Sequence, residues 1–511
     1  MKNKKKKFKY LFMIWIFILV IGLVRRTLQN DTFYTIKIGE LIINNGIDML
    51  DHFSWHQNLA YTYPHWLYDV FIYLIFHLTG YRGLYISSMI LLFIVLLIVF
   101  KVNLKNTNNY TFSALGVLLC AIALSGYATA RAQLVSFILF ALEIYFIESF
   151  LRNGNKRNLI GLLLVSLLIC NVHVAVWPFY FIVYLPYLAE YLITIICNKI
   201  KLKKENKFIK FIKKRIVLEK NKYIKYLFIT MLLSLITGLI TPIGDTPYTY
   251  FIKLAMGNAQ SYVSEHQMMT WIYSPFTIII AFETFFFALI SKIKLRDLFM
   301  ISGLTVMSII SVRHISLLAL IGTICFTREF VMFLSYYDFN IDDMIINFFN
   351  KKTVICISYL LVIVSIPLAI NYRINNEPYI DNELYPVDAV KYIKENIDID
   401  KMKIFNEYNY GSYLLLNDIP VFIDSRADLY TKQFSGFDYD ILDDFEYMIG
   451  NYQEKFEFYN ITHVILKKED NPFYKALLQD ENYTNIYEDE YFILFKKIGS
   501  PTYFIKITNE N

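Results

Sequence analysis

The chain has 511 residues, 56% of them hydrophobic and 18% charged, with a formal net charge of +6 and a mean hydropathy of +0.40. That composition excludes an ordinary soluble domain and points to a polytopic membrane protein. The positive balance gives no argument for nucleic acid, because the basic residues cluster in short connections between apolar runs, where retention on the cytoplasmic side accounts for them.

In chain order, the basic MKNKKKKFKY precedes the apolar LFMIWIFILVIGLV without a small-residue cleavage site, so an uncleaved first helix with a cytoplasmic N-terminus is expected. Further apolar runs lie near residues 83–100, 111–128, 132–151, 158–171, 174–197, 226–241, 273–290, 298–311, 313–333 and 353–370, making eleven spans. HWLYDVFIYLIFHLTG, residues 65–80, is too short to join them. It places Asp69, Tyr73 and His77 four apart on one helical face and ends at Gly80, the pattern of an amphipathic helix in the outer interface. With that choice the basic connections all fall on the cytoplasmic side: Lys101 and Lys105, Arg152 with Lys156 and Arg157, residues 199–225, Lys292 with Lys294 and Arg296, and Lys351 with Lys352. The opposite side receives a large first outer loop, residues 25–82, together with Arg131, Asn171, His173, Glu265, His266, Arg313 and His314. Polar residues at the ends of several helices on one side are what a site facing one aqueous compartment requires.

The five cysteines (Cys120, Cys170, Cys197, Cys325, Cys356) lie in apolar stretches without CxxC spacing, which implies neither a disulfide framework nor a zinc site. After the last span the composition changes. Residues 372–511 alternate helix-like PVDAVKYIKENI with strand-like KIFNEY, PVFIDS and THVILKK and the hairpin-like NIYEDEYFILFKK. The expected fold is therefore an α-helical polytopic membrane domain, residues 1–371, of about eleven transmembrane helices, followed by an extracytoplasmic α/β domain, residues 372–511, large enough for its own core.

DTFYTIKIGELIINNGIDMLDHFSW and HWLYDVFIYLIFHLTGYRGL together resemble the first outer loop of polytopic GT-C superfamily glycosyltransferases, where an acidic residue follows the first span. RAQLVSF, CNVHV, TPIGDTPYTYF with SEHQ, and VRHISL look like later landmarks of uncharacterised bacterial members, and FNEYNYGSYLL with VFIDSRADLY looks like their C-terminal domain. The resemblance runs in order along nearly the whole chain. It implies a GT-C-like fold in the cytoplasmic membrane and a transferase that takes a sugar from a polyprenyl-phosphate donor to an acceptor hydroxyl or amine on the outer face. Three positions depart from the pattern: His65 where an acidic residue commonly precedes Trp-Leu, His266 where Trp commonly follows the acid, and CNVHVA without the glycines that often follow the histidine.

Displacement at an anomeric carbon needs a carboxylate to accept the acceptor's proton and a cationic group to stabilise the departing phosphate. With the resemblance, Asp31 is the candidate base and Glu265 the second acid, either completing the acceptor site or holding a divalent metal with Asp31. For Asp31 the alternative is an N-cap on TFYTIKIGELII, and for Glu265 a solvated loop carboxylate. Arg131 and Arg313 sit at junctions between apolar runs and are candidates for a lipid phosphate, with headgroup snorkelling as the plain alternative. Asn171, His173, His266 and His314 complete the candidate substrate-binding set, although Asn171 and His173 also suit a satisfied polar pair at a helix end. Asp48 and Asp51 fit Asx turns, Gly39 a close helix approach and Gly46 a helix stop. Asp424, Arg426 and Asp428 follow a predicted strand, where binding groups or a charged strand end are both reasonable. The rival functions are a transporter or flippase of lipid-linked glycans, which calls for ionisable residues in mid-span, such as Glu143, Glu190 and Glu283, and a catalytically silent GT-C-like scaffold.

Overall fold

The computed structural model describes residues 2–199, 215–263, 267–268, 292–335, 341–468 and 472–499. The chain forms two compact units. The first comprises Met1–Arg25, Leu84–Tyr248 and Ser264–Asn376, and the second Arg26–Gly83, Thr249–Val263 and Glu377–Asn511. The principal helices are α1 (Lys2–Leu23), α2 (Asn30–Asn45), α3 (Trp66–Thr107), α4 (Tyr110–Ala123), α5 (Ala132–Asn153), α6 (Arg157–Val172), α7 (Trp177–Lys199), α8 (Ile224–Ser234), α9 (Leu295–Ile310), α10 (Val312–Leu334), α11 (Lys352–Asn376), α12 (Val387–Asn396) and α13 (Tyr408–Leu416).

In the first unit, apolar runs fold as helices because a chain in hydrocarbon must satisfy its own backbone polar groups. Among the described residues five helices are long and apolar enough to cross a membrane: α3, α5, residues 174–197, α10 and α11. Three shorter apolar helices accompany them, at Tyr110–Ala123, Arg157–Val172 and Ile224–Leu239. The predicted run 273–290 lies outside the described residues. Two predicted runs are shorter as α-helix than expected: α4 stops at Ala123 ahead of a 3-10 turn at Ser125–Tyr127, and α8 tightens into 3-10 geometry over Leu235–Leu239. The core gathers Ile16 and Val20 of α1, Val95 and Val99 of α3, Val117 and Cys120 of α4, and Phe137 and Phe140 of α5. Because lipid tails are as apolar as leucine, close packing holds such a bundle together.

One end of this bundle carries a buried ion network. Arg328 of α10 meets Glu148 of α5 at 2.7 Å and Asp297 of α9 at 2.9 Å; Arg296 reaches Glu219 at 2.8 Å, Glu190 of α7 at 3.3 Å and Glu148 at 3.5 Å. Arg296 is thus more than a retention charge in a connection. Carboxylates from several segments surround it, which is the condition under which a buried guanidinium is tolerated.

The second unit is built around α2. Gly46, in a left-handed conformation at φ 84°, ends the helix as expected, with its N–H donating to the Ile42 carbonyl. α2 packs along α13, and Phe33 presents its ring to Tyr385 and Tyr413 at 4.9 and 5.3 Å. Gly39 is required by contact: a Cβ there would lie 2.1 Å from the Asp69 carbonyl oxygen. The predicted helix at 65–80 exists as the first segment of α3, broken at Gly80 by φ 64°, ψ −158°. Tyr73 and His77 share a face with rings 5.7 Å apart, but Asp69 is not on a wet surface; it is fully buried against α2.

The C-terminal residues of this unit form a four-stranded sheet in the order β3-β4-β6-β5 (Ile404–Phe405, His463–Lys467, Phe492–Lys497 and Tyr483–Glu488), counting after a two-residue parallel pair, β1 (Ile216–Val217) and β2 (Ile293–Lys294), in the first unit. β3 runs parallel to β4, while β4–β6 and the predicted hairpin β5–β6 are antiparallel. PVDAVKYIKENI forms α12, burying Ala389, Val390 and Ile393 at helical spacing. PVFIDS is a correction, because it joins no ladder of this sheet. Val421 instead makes a single bridge to Ser54, with the Val421 N–H donating to the Phe53 carbonyl and the Trp55 N–H to the Val421 carbonyl.

Candidate functional site

In the first unit, the N-terminal end of α5, the α6–α7 junction and the start of α10 bring polar side chains together. His173 caps α6 in an extended conformation (φ −160°, ψ 78°) and is 2% exposed. Its Nδ1 lies 2.9 Å from Ser136 Oγ and its Nε2 3.4 Å from Arg313 Nη2. A guanidinium only donates, so Nε2 accepts and Nδ1–H donates to Ser136, whose hydroxyl donates onward to the Ala132 carbonyl at 3.1 Å. The three residues therefore hold one another in a fixed orientation with a neutral imidazole.

Arg131 occupies the N-cap position of α5 and is half-buried. Asn171 Nδ2 donates to the Leu167 carbonyl at 2.8 Å and the Ile240 carbonyl at 3.1 Å, tying α6 to the turn after α8. His314 packs edge-on against Phe179, with rings 4.8 Å apart. Phe179 in turn lines an apolar cavity of about 350 Å³ between α7, α9 and α10, together with Pro186, Met300, Gly303, Met307 and Leu317.

In the second unit, Asp31 lies in the first turn of α2, half-buried, and the N-cap is Gln29, so the capping alternative does not describe it. Glu265 and His266 lie outside the described residues. Among the described residues no group of three His, Cys, Asp or Glu side chains is arranged to hold a metal ion.

The most organised polar cluster of this unit joins two distant motifs. Arg426 of VFIDSRADLY donates Nε and Nη2 to the two oxygens of Asp424 at 2.9 and 2.6 Å, and Nη1 to Asp51 of GIDMLDHFSW at 2.7 Å. Asp51 also accepts from the Ser54 N–H and hydroxyl at 2.9 and 2.6 Å, while the Asx turn forms at Asp48, which accepts from the Leu50 N–H at 3.1 Å, and Tyr430 donates its hydroxyl to Asp424 at 2.6 Å. Burial alone would push the Asp51 carboxyl up, but the Arg426 guanidinium and the Ser54 donors hold it below the usual carboxylate range. Beside it, His56 stacks among Trp55, Phe422 and Tyr459 and donates Nε2–H to the Phe422 carbonyl at 2.9 Å; burial pushes its imidazole down to about 4. Asp428, further along the motif, accepts from the Tyr250 hydroxyl at 2.5 Å.

Sequence reasoning did not find the Asp51–Arg426 partnership, since 375 positions separate the two and no local pattern links them. It also passed over Asp69, whose two carboxyl oxygens are buried with no hydrogen-bond partner among the described residues.

No protein-family model matches the sequence, and no curated protein does. Solved structures do. The chain is similar to the Archaeoglobus fulgidus oligosaccharyltransferase tethered with an acceptor peptide containing the NVT sequon, with a TM-score of 0.55 and 10% identity over 90% of this chain and 69% of that one. The apo form of the same enzyme gives a TM-score of 0.55 and 10% identity over 89% and 69%. The GT-C-like fold that the motifs suggested is thus found at the level of architecture.

Proposed function

We propose that this chain is a membrane glycosyltransferase of GT-C type that takes a sugar from a polyprenyl-phosphate donor to an acceptor outside the cytoplasm. The observation that carries the reading lies in the first unit: an apolar cavity of about 350 Å³ is lined by Phe179, which touches His314, next to Arg313 in sequence; an isoprenoid segment of the donor occupies it in this reading. Arg313 serves the donor phosphate there, with His173 and Ser136 fixing its direction. Arg is suited to this task because its planar donor fork matches phosphate oxygens.

Asp31 of the second unit is the base. It takes the proton of the acceptor hydroxyl or amine as that group attacks the anomeric carbon; the bond from carbon to phosphate oxygen breaks, the phosphate leaves with the electron pair, and configuration inverts. A divalent ion at Asp31 and Glu265 is the alternative means of stabilising the departing phosphate, and chelation of the purified protein separates it from an arginine-only site. The N-terminus and the basic connections lie in the cytoplasm in this reading, and the residues from 372 onward lie outside.

The test is turnover of radiolabelled polyprenyl-phosphate sugars by purified protein. Asp31→Asn is expected to lose turnover and keep donor binding, whereas Arg313→Gln loses donor binding. A wild-type protein that binds donor, is supplied with acceptor extracts and still releases no sugar beyond the Asp31→Asn background refutes the transferase and leaves the transporter or the silent scaffold.

A further inference from the structure

The first turn of α5 carries a buried amide oxygen without a donor. Gln133, the second residue of that helix, is 7% exposed, and its Oε1 is buried with no hydrogen-bond partner among the described residues. A long, flexible side chain ordinarily turns such an atom to water or to a protein donor, because burying an acceptor unpaired is costly. The stripe of α5 that Gln133 begins continues through the core residues Phe137 and Phe140, so an apolar side chain at 133 would avoid that cost.

Gln133 stands three residues ahead of Ser136. The two share a helix face, with Cβ atoms about 5–6 Å apart and Gln133 one turn nearer the helix start. Ser136 holds His173, and His173 holds Arg313. The donors that link this group are spent within it: His173 Nδ1–H goes to Ser136, the Ser136 hydroxyl to the Ala132 carbonyl, and an Arg313 Nη2 hydrogen to His173 Nε2. The Gln133 oxygen is left for a donor from outside the chain. Phosphate oxygens held by an arginine only accept, so a phosphate by itself leaves Gln133 unsatisfied. A sugar on that phosphate brings donors. The one on carbon 2, next to the anomeric carbon, lies closest to the phosphate and suits a side chain one helical turn from the group that orients Arg313.

Resting on the transferase reading, we infer that Gln133 is a specificity-determining residue of the donor site. Its Oε1 accepts a hydrogen bond from the substituent on carbon 2 of the donor sugar, a hydroxyl or an acetamido N–H, while Arg313 holds the phosphate. No bond of the substrate is made or broken by it. A donor that lacks a proton-bearing group at that carbon is rejected because it seals the oxygen in unpaired, an asymmetry that apolar pockets do not have.

Equilibrium binding to the full chain in lipid nanodiscs, with no acceptor present, tests this. The probes are polyprenyl phosphate without sugar and its glucosyl, mannosyl, N-acetylglucosaminyl and 2-deoxyglucosyl derivatives. Wild type is expected to bind at least one of the three sugars with a donor on carbon 2 about tenfold more tightly than the 2-deoxy form. Gln133→Met, of similar length and without the amide, is expected to erase that preference, to bind the sugar-free phosphate as wild type does, and to unfold thermally no earlier than wild type. Failure of wild type to bind any polyprenyl phosphate overturns the donor reading and this inference with it. Binding of the sugar-free phosphate with no preference over the 2-deoxy form overturns the role of Gln133 alone, in favour of an oxygen satisfied by water. A preference that survives in Gln133→Met does the same, and so does earlier unfolding of that variant, which marks the amide as a structural tie.

Discussion

Replacing Arg426 with leucine removes the guanidinium from between two carboxylates whose side chains are 0% exposed. The variant loses the hydrogen bond to Asp51 and both side-chain bonds to Asp424, and nothing of similar charge stands in. Breaking a buried pair by deleting one partner costs about 3–5 kcal/mol. Since about 1.4 kcal/mol is a factor of ten, amide exchange in residues 49–61 and 421–430 is expected to accelerate by about two to three and a half orders of magnitude. pH gives a second handle. In the wild type Asp51 is held below the usual range, so its stabilisation is complete above about 3.9, the unfolded value, and fades only as pH falls through the lower folded value. In the variant, burial without the guanidinium raises the Asp51 carboxyl above that unfolded value, so the folded state binds an extra proton and gains stability as pH falls. The deficit relative to wild type therefore narrows from pH 7 to about pH 5. Hydrogen exchange mass spectrometry at the two pH values reads both effects. A deficit under about 1 kcal/mol at pH 7, or one that does not narrow, refutes the account of Arg426 as the ion holding these two segments together.

Gly39→Val places branched carbons where even a Cβ comes within 2.1 Å of the Asp69 carbonyl, so α2 and the first segment of α3 must separate; a loss of about 1–3 kcal/mol is expected in thermal unfolding of detergent-solubilised protein. His56, pushed down to about 4 in the fold, stays neutral while the unfolded chain takes up a proton below about 6.5, so stability falls as pH drops through that window. His56→Gln, which keeps a donor for the Phe422 carbonyl, is expected to abolish about 2 kcal/mol of loss between pH 6.5 and 5, measured by denaturant titration followed at Trp55. Gly303→Leu narrows the apolar cavity and is expected to weaken polyprenyl-phosphate binding at least as much as it lowers turnover; unchanged donor affinity in a binding assay removes the cavity from the donor site.

Much of the architecture follows from local chemistry. A chain in hydrocarbon has no choice but helix, so runs such as 132–151 and 353–370 identify themselves, and the positive φ at Gly46 and the kink at Gly80 are properties of single residues. The β5–β6 hairpin is equally local, because alternation and a short polar turn specify it. PVFIDS failed as a sheet strand because strand propensity leaves the partner unspecified, and here the partner was Phe53–Trp55, more than 360 residues away.

The same limit applies to the candidate sites. Residue type made Arg313 and His173 candidates, since charged and imidazole groups at the ends of apolar runs are costly without a task, whereas Asp31 became one through the resemblance of its loop. Which nitrogen of His173 meets Arg313, and that Asn171 reaches the Ile240 carbonyl, depend on how helices far apart in sequence are packed. Asp51 reads as a turn former; its pairing needed Arg426 brought across 375 positions. Periodicity and backbone satisfaction act within a turn or a strand and are written in the sequence. The pairing of polar side chains is decided by long-range packing, which a single sequence does not encode position by position.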